Sequence, residues 1–328
     1  MRQTLKVLLA AAAMTGISAN SDNAIAQPYP SRPITMIVPF AAGGTTDTLG
    51  RILAEGMRAS LSQPMIVENV AGAAGGIALG RVSRAAPDGH TLIFGNWATH
   101  VVNGAALAAQ YDVLNDFVPV ALVATQPLVI LANKAVPAKD LNELVAWLNA
   151  NPDKASVGTA GIGSATHLAG VFFQAKTGTR LQLVPYRGGA QTMQDLLGGQ
   201  INLQFTQASN ALPHLQAGLV KAYAVTANAR LALAPDIPTV DEAGLPGLYV
   251  AVWHAVWLPK GTPKEVVNEL NLSIVNALAD PAMRKRLVDL GQEPFPRDQQ
   301  TPEALAILQK AEIEKWWPII KAANTKVD

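Results

Sequence analysis

The sequence predicts an α/β fold in which parallel sheets are covered by helices on both faces. Three observations carry this expectation. Short apolar runs alternate with longer helical patterns through most of the 328 residues. Charged residues make up only 15% of the chain, as expected for buried strands between covering helices. Three glycine-rich turns each follow a strand candidate and open a helix.

The first 26 residues read as a secretory signal, with Arg2 and Lys6 as the basic start and an apolar run at residues 7–14. Cleavage is expected after Ala26, at the small-x-small site Ala24-Ile25-Ala26. That apolar run is too short to span a bilayer, and no later segment has 18 uninterrupted apolar residues. A periplasmic location is therefore expected, without stable membrane insertion. The chain has no cysteine, which excludes a disulfide scaffold and a lipid-anchored lipoprotein. Cleavage removes two of the 25 basic residues and one of the 24 acidic ones (Asp22), leaving 23 of each. Nucleic acid or an anionic membrane would call for a basic excess. The remaining 302 residues suffice for two domains or one large α/β domain.

The first strand is expected at residues 34–38, an apolar run bounded by Pro33 and Pro39. Gly43 and Gly44 then allow a tight turn, and Thr45, Thr46 or Asp47 can cap a helix running to Leu61. Free N–H groups at such a helix start attract anions, by about 0.3–1 kcal/mol from the dipole alone. Further strands are expected at 65–68, 91–94, 118–124, 128–132, 156–158, 182–185, 203–205 and 222–225. Helical patterns lie between them at 77–85, 140–150, 167–177, 190–197 and 211–217. A strand at 249–258 and helices at 263–278, 281–290 and 302–323 follow, with Thr262 as the expected N-cap before Pro263. This change of pattern suits a chain that returns to an earlier domain.

The second glycine turn is GTAGIGSATHLAG, residues 158–170, where Ser164 or Thr166 can cap the next helix. The third, PYRGGAQTMQDLL, places Gly188 and Gly189 before a helix. All three lie at the carboxyl ends of strands, where open α/β sheets bind ligands. None is a nucleotide motif: there is no G-x-x-x-x-G-K-[ST], and no G-x-G-x-x-G opens a helix with an acidic partner. Serine also falls in the wrong place for a G-x-S-x-G nucleophile elbow. The five histidines form no short metal-ligand spacing. His100 and His167 stand beside candidate loops and could donate to an anion or bond to backbone. Trp97, Trp253 and Trp257 could sandwich a flat ligand or fill a core, while Trp316 and Trp317 read as packing on a terminal helix.

Taken together, YPSRPITMIVPFAAGGTTDTLGR, AGAAGG, AAPDGHTLIFGNWATH, NDFVPVALVA, the second glycine loop, PYRGGAQTMQDLLGGQINLQF, ALPHLQAG, PDIPTVDEAGLPG and LPKGTPKEVV carry a resemblance. The chain resembles the solute-binding receptors of tripartite tricarboxylate transporters, the Bug family, over essentially all of its mature length. The resemblance implies a two-lobed, flytrap-like (type II) periplasmic-binding-protein fold with a mainly parallel sheet in each lobe. It implies no catalysis, cofactor or metal. Lobe 1 would comprise residues 27–127 and 249–328, and lobe 2 residues 128–248, with crossovers near Pro127 and Tyr249.

A carboxylate would be gripped between Phe40, Ala42, Gly43, Gly44, Thr46 and Asp47 of one lobe and Gly158, Gly161, Ser164, Thr166 and His167 of the other. Trp97, Thr99, His100, Tyr186, Gly188, Phe205, Thr206 and Trp253 would stand near the cleft. Lobe closure would then present the ligand to the membrane components of the transporter, with the receptor a monomer. One departure from relatives that bind amino acids is Phe205-Thr206-Gln207-Ala208, where an aspartate would pair with a ligand ammonium. An amino acid is thus disfavoured. An aromatic mono- or dicarboxylate is expected over citrate, since Arg187 is the only cation in these loops. Two other readings stay open: a ligand-sensing receptor for a membrane sensor kinase, and a secreted serine hydrolase using Ser164 with His100 or His167.

Overall fold

A computed structural model describes residues 29–106, 110–186 and 189–322. The signal segment, Arg187 and Gly188 lie outside the described residues. The first strand, β1 (Ile34–Val38), pairs in parallel with β2 (Met65–Asn69) and β3 (Thr91–Asn96). Between β1 and β2 runs helix α1 (Thr45–Leu61), which buries Leu49, Ile52, Leu53 and Met57. A short helix α2 (Gly76–Val82) follows β2. A π-helical turn (Ala98–Val102) and α3 (Asn103–Ala106) follow β3.

The two strands expected at 118–124 and 128–132 are one 17-residue strand, β4 (Phe117–Asn133). Pro127 suggests an end to a strand because it donates no ladder bond. Here it sits where β4 leaves one sheet and enters another, so little pairing is lost. Beyond it come α4 (Leu141–Ala150), β5 (Ser156–Thr159), α5 (Ala165–Thr177), β6 (Gln182–Pro185) and α6 (Gly189–Leu197). The second half of the fold then closes with β7 (Leu203–Gln207), α7 (Ala208–Gln216) and β8 (Val220–Val225). The chain returns through β9 (Ala251–Pro259), α8 (Lys264–Ala279), α9 (Pro281–Asp289), the short β10 (Glu293–Pro294) and α10 (Pro302–Ala322). Thr262 is not the cap of α8; Pro263 holds that place, and the Thr262 hydroxyl donates to the Pro259 carbonyl at 2.8 Å.

The fold is two-lobed, with one sheet ordered β2-β1-β3-β9-β4-β10 and the other β8-β4-β7-β5-β6. The expected parallel pairing holds on one flank of each sheet only, β2-β1-β3 and β7-β5-β6. Around β4 every ladder is antiparallel, so both sheets are mixed. The reason is topological: β4 runs out of the first lobe and β9 runs back into it, and strands that exchange lobes this way run in opposite directions.

One apolar core covers a face of each sheet and continues from lobe to lobe, joining Trp97, Trp257 and Trp316 to Leu128, Phe173 and Phe205. Two smaller cores fill the opposite faces, around Leu53 and Ile274 in one lobe and around Val129 and Leu196 in the other. Thr226 stitches the crossing strands: its hydroxyl reaches the carbonyls of Leu128 and Val250, at 3.1 and 2.6 Å, and accepts from the Leu128 N–H at 3.0 Å. No helix among the described residues is long and apolar enough to cross a membrane.

Candidate functional site

The first glycine turn lies at the carboxyl end of β1. Ala42, Gly43 and Gly44 are exposed there, and Phe40 is half-buried. Gly43 takes φ +84°, a left-handed conformation that glycine adopts without strain. The N-cap of α1 is Gly44, which brings no side chain to the first turn, so the N–H groups of Thr45, Thr46 and Asp47 lack partners within the helix.

Asp47 is not free to meet a ligand. Its carboxylate accepts from the Gly43 N–H (2.8 Å), Asn69 Nδ2 (2.9 Å) and Arg51 Nε (3.1 Å). Burial pushes this carboxyl up, but the bonds from Arg51, Gly43 and Asn69, with the guanidinium charge, outweigh it and hold it below the usual range. Asn69 also donates to the Phe40 carbonyl (3.0 Å), so one asparagine at the end of β2 ties down both sides of the loop. Sequence reasoning missed Asn69. It reaches the loop because β2 pairs with β1 in the register Val38 to Asn69.

A buried polar floor underlies this loop. The Thr46 hydroxyl lies 3.1 Å from His254 Nε2 and 3.5 Å from Asn96 Nδ2. Thr99, within the π-helical turn, exchanges bonds with Asn96 and places its hydroxyl 2.9 Å from His100 Nδ1. His100 itself is fully buried and stacked on Trp257, with ring centroids 3.5 Å apart. Burial lowers both His100 and His254 to about 3, so both are neutral at physiological pH.

The second jaw follows β5. Gly161 (φ +106°) and Gly163 (φ +78°) shape the loop, with the exposed Ile162 between them. Ser164 is the cap of α5: its oxygen accepts the His167 N–H at 3.2 Å, and its hydroxyl reaches the Gly161 carbonyl at 2.7 Å. Thr166 accepts from the Ala160 N–H at 2.8 Å, and His167 Nδ1 faces the Gly163 N–H at 3.4 Å. The side chains of Ser164, Thr166 and His167 thus set the loop's shape, and all three residues are half-buried. Burial lowers the His167 pKa. A Ser164–His100 pair gains no support, because His100 is fully buried between Trp257 and Phe117.

Several expected cleft residues turn inward. Trp97 is fully buried, edge-on to Trp316 at 5.2 Å, and Trp253 is 3% exposed, tilted against Trp257 at 6.0 Å. Neither indole presents a face for stacking a ligand, because burying so large an apolar surface in the core outweighs leaving it in a wet cleft. Phe205 packs edge-on to Phe173 at 5.7 Å in the second lobe's core. Thr206 is buried beside Val129 of β4. Gly158 is required by packing, since an added methyl would run into Thr192 and Ile201. Tyr186 points its hydroxyl at Asp195 (2.6 Å), which raises its pKa to about 12 and fastens the turn to α6. Among the described residues no cluster of His, Asp and Glu is placed to hold a metal ion.

Two strand–turn–helix starts, at residues 40–47 and 158–167, stand at the carboxyl ends of β1 and β5. Side chains brace both turns from within: Asp47 takes the Gly43 N–H, Thr166 the Ala160 N–H and Ser164 the His167 N–H. The profile of the "Tripartite tricarboxylate transporter family receptor" matches residues 49–325. The chain is 34% identical to Protein BugT of Bordetella pertussis over 92% of both chains. It is 39% identical to MatC from Rhodopseudomonas palustris with bound malate, with a TM-score of 0.74 over 89% of this chain and 100% of that one. It is also 32% identical to R. palustris Rpa4515 with adipate, with a TM-score of 0.76 over 91% and 99%.

Proposed function

We propose, from the premise that this chain belongs to the tripartite tricarboxylate transporter receptor family, that it captures a small aliphatic dicarboxylate between its lobes. The observation that carries the reading is that each sheet carries a glycine turn opening a helix, α1 after β1 and α5 after β5. Each would offer first-turn backbone N–H groups to one carboxylate, and the two starts stand on sheets that share β4. Residues 27–127 with 249–328 would move as one lobe and 128–248 as the other, hinged at Leu128, Thr226 and Val250. The ligand would be delivered in the periplasm to the membrane components of a tripartite transporter.

Two similar proteins carry malate and adipate in their solved structures, which supports a linear diacid. The burial of Trp97 and Trp253 removes the stacking platform on which an aromatic ligand rested. Aspartate is disfavoured because Gln207, half-buried at the end of β7, cannot neutralise an ammonium.

The test is a thermal-shift and calorimetric screen of the mature protein with malate, succinate, adipate, terephthalate, citrate and aspartate. A linear diacid should raise the melting temperature in step with its concentration. Strongest binding of terephthalate or aspartate, or of none of the panel, would overturn the assignment of ligand class.

A further inference from the structure

Beside the hinge lies a cavity of about 290 Å³ walled by both lobes. Ala208 and residues 230–233 form one wall; Arg284, Val288 and residues 291–294 form the other. No residue of the two jaw loops lines it. The second wall includes β10, which pairs with β4 at Thr125 and Ala124, next to the crossover. The volume stands at the small end of small-molecule sites, which run from about 300 Å³ upward.

The chemistry of the lining is specific. Ala208 opens α7, whose N-cap Gln207 brings no side chain to the first turn, so the first N–H groups lack partners within the helix. Among the described residues Arg284 makes one long bond, from Nη1 to the Leu278 carbonyl at 3.5 Å, which leaves most of its donors available. Arg230 is held by Glu242 and the Pro235 carbonyl. Glu293 accepts the Ala232 N–H at 3.2 Å and so bridges the two walls.

Gln292 is 1% exposed and its Oε1 has no partner among the described residues, while its Nε2 donates to Gln126 Oε1 at 2.7 Å. Gln126 in turn donates to the Ser209 hydroxyl at 3.3 Å. Leu231, Leu233, Val288 and Pro294 supply apolar surface to the lining.

We infer that this cavity is a second, regulatory binding site that takes a small carboxylic acid with a short aliphatic body. The carboxylate would meet Arg284 and the start of α7, and the chain would lie against Leu231, Leu233 and Val288. Because the walls belong to different lobes, occupancy favours one angle between them, so this site and the jaws alter each other's affinity by the same factor. That coupling rests on the proposed closure of the jaws; the site itself does not.

The experiment is an NMR titration of the ¹⁵N-labelled mature chain with hexanoate, followed at the amides of Ser209 and Ala232 and the side chain of Gln292. Saturable shifts at these positions are expected. Arg284→Gln should weaken them at least tenfold, and Val288→Trp, which fills the cavity, should abolish them. Shifts confined to the jaw loops, no saturable shift, or wild-type binding by Val288→Trp would overturn the site. Repeating the titration with malate at saturation tests the coupling, which an unchanged hexanoate affinity would sink. If no diacid binds the jaws, the hexanoate titration alone still reads the hinge cavity, so the two proposals fail separately.

Discussion

Thr46, in the first turn of α1, and His254, within β9, meet in a buried contact of 3.1 Å across 208 residues of sequence. Asn96 donates to the same hydroxyl at 3.5 Å, which leaves the Thr46 proton for His254 Nε2. The first jaw is thereby seated on the returning strand, and the start of α1 cannot shift without breaking this contact. Thr46→Val, which keeps the shape and removes the hydroxyl, should cost about 1–3 kcal/mol by leaving a buried ring nitrogen unpaired. Urea denaturation measures that loss, and calorimetry with the diacid bound by the wild type should show weaker binding. Unchanged stability would mean the contact contributes nothing.

Acid should destabilise the protein in a window set by its buried histidines. His100 and His254 titrate near 3 when folded and near 6.5 when unfolded, so below pH 6.5 the unfolded chain takes up protons that the folded chain refuses. Stability is complete above pH 6.5 and falls as the pH drops toward 3. At pH 5 each of the two should subtract about 2 kcal/mol relative to pH 8. His167, also lowered by burial, adds in the same direction. Denaturant midpoints at pH 5 to 8 check this, and His254→Gln should roughly halve the slope contributed by the buried pair.

The glycine turns separate backbone strain from steric blocking. At Gly43 an added methyl meets nothing within 4 Å, and at Gly161 the nearest atom is the Tyr186 carbonyl oxygen at 3.6 Å. Both glycines have positive φ, so Gly43→Ala and Gly161→Ala should each cost about 1–2 kcal/mol or shift the loop, and ligand affinity should fall. Gly44, with φ −78°, suits any residue, and Gly44→Ala should leave the melting temperature unchanged. A similar melting-temperature loss in all three variants would show that conformation is not what selects glycine here.

At the hinge, Thr226→Val removes a hydroxyl that serves the carbonyls of Leu128 and Val250 and the Leu128 N–H. We expect a loss of about 2–3 kcal/mol, with faster hydrogen exchange of the Leu128 and Val250 amides. Exchange unchanged at both amides would show that the strands cross without help from this side chain.

Much of the fold was legible because its signals are local. β1 and β6 form within their expected bounds, and Ser164 caps α5 as its spacing before an apolar run suggests. The split of β4 into two strands failed because Pro127 carries the same local signal at a turn as at a change of sheet. The candidate site was legible in position and less so in role. Asp47, Ser164 and Tyr186 stand in or beside the glycine turns, yet each is occupied with bracing them.

The amino-acid sequence by itself determined the alternation of strands and helices, the glycine turns that open α1 and α5, and the membership of a receptor family. Those depend on periodicity, turn chemistry and composition, all readable along the chain. Only the tertiary structure decided that Trp97 and Trp253 fill a core, that Asn69 and His254 hold the first jaw, and that one strand serves both lobes. These outcomes depend on which residues register and burial bring together from distant parts of the chain, and a side chain's type does not say which neighbours it will meet.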